Sequence, residues 1–464
     1  MWSKTPILMD NSTIVAIATA TGGAIGIIRL SGPEALIVCD HVFKSAKGRR
    51  LADAKPYMLH FGHICASNPD GGEELIDEVL VSVFRAPNSY TGEDCVEINC
   101  HGSRFILQRV VELLIASGAR MAEPGEFTKR AFLNGKFDLS QAEAVADLIS
   151  CYSTATHRLA INQMRGGVSS ELSRLRNQLL HLTSLMELEL DFSEEDVEFV
   201  SREELRSLAL TIEDRIAHLA DSFQTGNAIK NGVTVAIVGA PNVGKSTLLN
   251  ALLKEEKAIV SEVQGTTRDV IEDVIQIEGI TFRFFDTAGI RKTTDRIEQM
   301  GIDRTLQTLS RAQIVLLLSE KGIDFPHLDI PEDKVVLRVV NKSDITHPQN
   351  SFIFNKVSPG GYIHISALTG AGMPLLTHEL IKAAAVPEIN GNEPIITSLR
   401  HYESLTLARS DIHRVLDALQ NQIPCDLVSQ DLRQCLHHLA EITGGEITSD
   451  DVLGSIFSSF CIGK

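Results

Sequence analysis

The 464-residue sequence has no Cys-x-x-Cys pair; its eight cysteines stand at 39, 65, 95, 100, 151, 425, 435 and 461. That spacing excludes the usual zinc cages and disulfide frameworks, and favours reduced thiols in a cytosolic chain. Long apolar runs are also missing. Runs such as Ile314 to Leu318 are strand-sized and far short of the ~18 residues that a membrane span needs. Basic charge is in deficit, with 43 Lys and Arg against 60 Asp and Glu and a formal net charge of −17, so broad electrostatic wrapping of a polyanion is excluded. Any nucleic-acid contact must come from a local basic patch. Proline (15) and glycine (33) are too few for a disordered or fibrous chain. Ala18-Thr19-Ala20 imitates a cleavage site, but the apolar stretch before it is short and follows Asp10-Asn11-Ser12, so no signal peptide is expected. Gly22-Gly23-Ala24-Ile25-Gly26 lacks the first glycine of a dinucleotide loop, and the terminal Lys464 falls outside the prenylation box.

At about 150 residues per domain, this length predicts about three domains. Thr13 to Ala18, Ile25 to Leu30, Glu78 to Phe84 and Cys95 to Cys100 read as strands, followed by helices over Ser103 to Ser117 and Phe127 to Asn134. That mixture predicts an N-terminal α/β domain over 1–134. Beyond it, Leu172, Leu175, Leu179, Leu182 and Met186 recur at steps of 3 and 4, the mark of one buried helical stripe. A first helical segment is expected over 135–229. From 230 to 384, β-runs alternate with helices (Val233 to Val238, Phe282 to Phe285, Ile314 to Leu318, Val335 to Val340, Tyr362 to Ile365), a doubly wound pattern. Helical spacing returns over 385–464 through Leu405, Ala408, Ile412, Val415 and Leu419. The whole reads as a multidomain α+β protein, with a doubly wound α/β domain inserted into a discontinuous helical one.

Gly239-Ala240-Pro241-Asn242-Val243-Gly244-Lys245-Ser246 follows an apolar strand and opens a helix, the setting that a phosphate-binding loop requires. Its glycines let backbone N–H groups turn onto phosphates, the helix start adds positive potential, Lys245 reaches the outer phosphates, and Ser246 suits Mg²⁺. Asp286-Thr287-Ala288-Gly289 ends a strand 41 residues after Lys245. There a carboxylate serves Mg²⁺ through water and the Gly289 N–H senses a γ-phosphate. Asn341-Lys342-Ser343-Asp344 ends another strand, and Asp344 accepts both donors of the guanine edge, which adenine lacks. Ser366-Ala367-Leu368 offers a backbone N–H to the guanine oxygen. Together these segments select GTP. Ile290 stands where Ras-like enzymes place their water-orienting glutamine, so the nucleophilic water needs another positioner: Glu298, Arg268 or Arg291.

These motifs, with Gly265-Thr266-Thr267-Arg268-Asp269, Pro124-Gly125-Glu126-Phe127, Leu139 to Ile149 and the terminal Phe460-Cys461-Ile462-Gly463-Lys464, resemble the MnmE (TrmE) family of tRNA-modification GTPases along nearly the whole chain. The resemblance implies an N-terminal folate-binding and dimerising domain, a helical domain in two segments and an inserted Ras-like GTPase domain. It implies a K⁺ ion at Asn242, Ser261, Val263 and Thr266, doing the work of an arginine finger, and Mg²⁺ at Ser246 and Thr267. Ser261 departs from the family's threonine, a change that a backbone carbonyl ligand survives. Thr247 completes the nucleotide set. Glu298 matches the general-base position. For a tetrahydrofolate derivative (5-formyl or methylene), the matching residues are Arg29, Glu97, Lys136 and Lys464, with Cys461 as a catalytic thiol.

The function so implied is a K⁺-dependent GTP hydrolase that helps to install an aminomethyl-type or carboxymethylaminomethyl-type group at C5 of the wobble uridine of certain tRNAs. It implies a cytoplasmic homodimer, not a membrane protein, joined by an FAD-containing MnmG (GidA)-type protein in a heterotetramer. The rival is a ribosome-assembly switch of Era or Der type. Der-like chains carry two GTPase domains, and the acidic Asp411 to Asp451 region lacks the basic G-x-x-G loop of Era-like chains.

Overall fold

The computed structural model describes residues 11–67, 72–191, 201–255, 272–286, 309, 312–322, 325, 330–331, 334–346, 361–384, 393–421, 423, 425–445, 450–458, 460 and 463. The chain gathers into two compact units. One takes Met1–Ala146, Met164–Arg176 and Arg433–Lys464; the other takes Asp147–Gln163 and Asn177–Leu432.

The N-terminal portion runs β1 (Ile14–Ile17), β2 (Ile25–Ser31), α1 (Ala35–Val42), β3 (Phe43–Ser45), β4 (Leu59–Ser67), β5 (Glu73–Phe84), β6 (Cys95–His101), α2 (Arg104–Ala116), β7 (Arg120–Met121) and α3 (Glu126–Leu133). Its seven strands form one sheet in the order β3-β4-β5-β6-β2-β1-β7, antiparallel except for the β1–β7 pair. Alternation along β6 buries Val96, Ile98 and Cys100, which pack with Val15, Ile28, Val81, Leu107, Val110 and Leu114 under α1 and α2. Strands β3, β4, β7 and the first half of β5 have no clear signal in the sequence. Their Gly, His and Glu residues are weak strand formers, and the ladder to neighbouring strands holds them.

Helices α4 (Leu139–Ser150), α5 (Thr154–Met164), α6 (Gly167–Asp191) and α7 (Arg202–Asn231) follow. The expected stripe on α6 is buried at Leu172, Leu175, Leu179, Leu182 and Met186. Ser201 caps α7 by accepting from the Glu204 N–H at 3.2 Å.

The next portion runs β8 (Val233–Gly239), α8 (Lys245–Glu255), β9 (Glu272–Ile277), β10 (Ile280–Asp286), β11 (Ile314–Ser319), β12 (Val335–Val340), α9 (Ser343–Thr346), β13 (Tyr362–His364) and α10 (Met373–Ala384). The sheet order is β13-β12-β11-β8-β10-β9, parallel throughout except for the β9–β10 hairpin. Strand order reverses beside β8, so the loop after β8 lies at the switch point where doubly wound sheets bind ligands. Both faces are covered: Leu248, Leu316, Phe284 and Leu376 belong to one core, Ala236, Val238, Val315 and Leu317 to another.

Helices α11 (Leu399–Gln420), α12 (Cys425–Thr443) and α13 (Asp450–Ser458) complete the chain. Within the second unit α11 packs on α7, with Phe223 stacked on Tyr402 at 4.7 Å and Arg409 paired with Glu213 at 3.1 Å. The segment entering α11 crosses α7 at Gly226, where a Cβ would stand 2.1 Å from the Ile396 carbonyl oxygen. In the first unit, Leu453, Phe457 and Phe460 close on Leu139 and Ala142. Among the described residues, no helix is long and apolar enough to cross a membrane.

Candidate nucleotide and folate sites

Strand β8, in the interior of the sheet, delivers Gly239 to its carboxyl end, in register with Leu318 of β11, while Ile237 stands opposite Asp286 at the end of β10. The loop between β8 and α8 turns through two left-handed residues, Asn242 (φ 64°) and Gly244 (φ 98°). Glycine is required at the second, because a Cβ would lie 2.3 Å from Asn341 Nδ2. Lys245 opens the 11-residue helix α8, so its own N–H and those of Ser246 and Thr247 belong to the electropositive helix start. Lys245 Nζ donates to the carbonyls of Gly239 at 2.8 Å and Ala240 at 3.1 Å, arching over the loop. Val243 is buried beneath it, whereas Ser246 and Thr247 are exposed on the first turn.

Asn341 ties three loops together. Its Nδ2 donates to the Val243 carbonyl at 2.8 Å and its Oδ1 accepts from the Ala367 N–H at 3.0 Å, with the side chain buried. The phosphate loop, the Asn-Lys-Ser-Asp segment and the Ser366-Ala367-Leu368 segment thus meet at the carboxyl ends of β8, β12 and β13. Lys342, at φ 58°, pairs with Glu320. Ser343 donates to the Val340 carbonyl and, through its N–H, to the Ile365 carbonyl, which fixes the turn carrying Asp344. Asp344 is half-buried, Ser366 fully buried and Leu368 exposed. A hard hydroxyl at Ser246, inward-turned N–H groups and a cation at Lys245 suit a triphosphate carrying a divalent ion.

In the N-terminal sheet, Arg29 on β2 lies directly across from Glu97 on β6. Its Nε and Nη2 both reach Glu97 Oε1, at 2.8 and 2.7 Å. The guanidinium sits over the rings of Tyr90, at 5.3 Å, and Phe127, at 5.7 Å, and Nη1 donates to the Gly463 carbonyl at 3.4 Å. Tyr90 is held by a 2.9 Å bond to Thr128 and by the Phe137 ring; burial above all raises its phenol's pKa. Lys136 donates to the Pro87 carbonyl at 2.9 Å, so it touches the loop that carries Tyr90. One carboxylate, two cations and two aromatic faces suit a planar heterocycle bearing N–H donors and an anionic tail.

Behind this pair, Glu126 Oε1 and Oε2 accept from Arg120 at 2.6 and 2.8 Å, Oε1 accepts from Arg130 at 2.9 Å and Oε2 from the Glu123 N–H at 2.9 Å. Burial by itself pushes the Glu126 pKa up; the bonds from Arg120, Glu123 and Arg130 outweigh it and hold the carboxyl below its usual range. Arg130 also reaches Glu93, which accepts from Ser31 at 2.7 Å.

Ser261, Val263, Thr266, Thr267, Arg268, Thr287, Ala288, Gly289, Arg291, Glu298, Cys461 and Lys464 lie outside the described residues, as does the side chain of Asp286. Tyr90 and Phe127 were not singled out by sequence reasoning as parts of a site. Phe127 ends the Pro124-Gly125-Glu126-Phe127 segment and Tyr90 stands two residues before Gly92; the left-handed glycines there (φ 81° at Gly92, 67° at Gly125) are the signal that marks a built turn.

Two families match the chain: "GTP-binding protein TrmE N-terminus" over residues 13–136 and "MnmE helical domain" over 139–461. Full-length relatives are similar throughout. The protein named "tRNA modification GTPase MnmE" from Bacteroides thetaiotaomicron is 55% identical over 98% of this chain and 100% of its own length. Those of the same name from Phocaeicola vulgatus and Cytophaga hutchinsonii are 53% and 50% identical, covering 98% and 100% of this chain and 100% of each relative.

Proposed function

Because the chain belongs to the MnmE family of tRNA modification GTPases, a GTP hydrolase acting in tRNA modification, we propose that it uses a one-carbon tetrahydrofolate and K⁺-assisted GTP turnover to modify C5 of the wobble uridine. The observation that carries the nucleotide half is the Asn341 bridge, which presents the phosphate loop and both base-recognition segments as one surface. Asp344 accepts the two guanine donors, and the N–H of Ala367 or Leu368 meets the guanine oxygen. Lys245 shifts from the carbonyls of its own loop to the outer phosphates. Ser246 and Thr247, with Thr267 and Asp286, hold the phosphates and Mg²⁺.

A K⁺ ion fits the oxygen of Asn242, whose left-handed backbone exposes the side chain at the loop's outer rim, together with Ser261, Val263 and Thr266. Bound there, it supplies positive charge where negative charge grows on the phosphates. Glu298 positions the water, and Thr287, Ala288 and Gly289 sense the γ-phosphate. At the other end, Glu97 takes the pterin's N–H donors, Lys136 and Lys464 face its anionic portion, and Cys461 approaches the one-carbon unit. Residues 1–134 form the folate-binding and dimerising domain, 135–229 and 385–464 the helical domain, and 230–384 the inserted GTPase domain. The protein works in the cytoplasm as a homodimer with an FAD-containing MnmG-type partner in a heterotetramer, and GTP drives a conformational cycle while the flavin chemistry lies on the partner.

The test is GTP turnover in K⁺ and in Na⁺ at matched ionic strength. Turnover is expected to be about tenfold or more faster in K⁺, with the advantage lost in Asn242→Ala. Equal rates in both salts refute the ion's role.

A further inference from the structure

The C-terminal tail docks on the N-terminal sheet at a position where no side chain fits. Gly463 is buried at φ 97°, and a Cβ there would stand 2.4 Å from the Ile17 carbonyl oxygen and 3.0 Å from the Ala18 Cα. Both are backbone atoms, so neither swings aside as a side-chain end would. The tail is fixed a second time at Gly125 (φ 67°), where a Cβ would lie 2.6 Å from the Phe457 carbonyl oxygen and 3.0 Å from the Cβ atoms of Phe457 and Phe460. A contrast stands on the same helix: Gly454 is exposed and has nothing within 4 Å of its Cβ position.

Seated in this way, Gly463 turns its carbonyl to Arg29 Nη1 at 3.4 Å. Two further donors of that guanidinium, on Nε and Nη2, converge on a single oxygen of Glu97, and the ring centroids of Tyr90 and Phe127 lie 5.3 and 5.7 Å from its Cζ. Arg29 thus joins a carboxylate, a peptide oxygen and two rings. Ala16, its register partner on β1, is one residue from Ile17, the backbone against which Gly463 rests. Tail seating and the Arg29–Glu97 pair thus share one strand edge and one guanidinium.

We propose that Gly463 is a positioning residue: its missing side chain lets the tail dock on β1 and hand its carbonyl to Arg29, so that Arg29 sets the Glu97 carboxylate and the C-terminus together. The proposal rests on the folate reading above, since it assigns Arg29 to Glu97 and the tail, and leaves Glu97 to face the pterin. Because two processes that share Arg29 are coupled, each must change the other by the same factor.

The test uses the full-length protein, with 5-formyl-tetrahydrofolate affinity measured by equilibrium titration and tail seating measured as release of C-terminal residues by carboxypeptidase. Gly463→Ala is expected to weaken binding and to speed release, each about tenfold or more. Arg29→Ala should do both as well, and Arg29→Ala/Gly463→Ala should be no worse than the worse single variant, because both break the same link. Gly454→Ala should move neither reading. Wild-type affinity and wild-type tail protection in Gly463→Ala would overturn the proposal, as would additive losses in the double variant. If Gly463→Ala folds poorly, tail release from Arg29→Ala decides alone: a tail as protected as in the wild type refutes the link. A wild-type protein that binds no folate refutes the folate reading instead, while the release measurements still decide whether Arg29 and Gly463 hold each other.

Discussion

At Asn341 one buried amide serves two loops, so its removal leaves the Val243 carbonyl and the Ala367 N–H without their partner. Each unpaired buried group costs about 1–3 kcal/mol. Asn341→Ala is therefore expected to weaken GTP binding on the order of 100-fold, measurable by nucleotide titration, with a smaller effect on the melting of the N-terminal domain. Asp344→Asn should trade preference from GTP to XTP, because an amide donates where xanthine carries an oxygen in place of guanine's amine. Turnover of the variant that remained GTP-selective would contradict the role given to Asp344. Thiol chemistry offers a third reading at this scale. Burial outweighs the lowering effect of Arg29 and, with Glu97 and Glu93 adding to it, leaves Cys95 pushed up to about 12, and burial with Asp77 does the same to Cys100. In the folded protein at neutral pH, mass-resolved alkylation should, among the cysteines whose side chains are described, spare Cys39, Cys95, Cys100 and Cys435 and label half-exposed Cys65 and Cys151.

Among elements, α3 is fastened by charge more than by apolar area. Glu126, buried on its first turn, receives buried Arg130 and the partly exposed Arg120. Glu126→Gln should cost about 1–3 kcal/mol at neutral pH, since it removes the charge that Arg120 and Arg130 share, while Arg130 keeps Glu93 and Arg120 keeps Ser12. The sign with pH follows from the lowered carboxyl: the stabilisation is complete above the unfolded value of about 4.3 and fades as pH falls through the lower folded value. The gap between wild type and variant in chemical denaturation should therefore be constant near neutrality and close in acid. The helix start at Ser201 is a smaller device, and Ser201→Ala should cost about 1 kcal/mol. Elements such as these differ in how far the sequence announces them. Leu172 through Met186 declare α6 by spacing alone, and β8, β11 and β12 by apolar runs that only a doubly covered sheet can bury. Strand β4 does not declare itself, because His60, Gly62 and His63 interrupt its pattern and its place comes from pairing with β5. The nucleotide loops were legible because phosphate and guanine chemistry demand particular residues at fixed spacing. The ring of Tyr90 over Arg29, and Gly463 beside Ile17, join residues far apart in sequence, and no local pattern reports such a meeting.

Over the whole molecule, the two family matches span 13–136 and 139–461, so the nucleotide-binding fold lies within the stretch that the MnmE helical family matches. The C-terminal end returns to the N-terminal sheet within one compact unit, placing Gly463 at Arg29. The central claim is tested most directly by mass analysis of the wobble uridine after reconstitution of the protein with an FAD-containing partner, a methylene-tetrahydrofolate, substrate tRNA, K⁺ and either GTP or ATP. The account predicts the C5 adduct with GTP and folate together, and its loss when ATP replaces GTP or when Asp344→Asn replaces the wild type; equal adduct without GTP or without folate would contradict it.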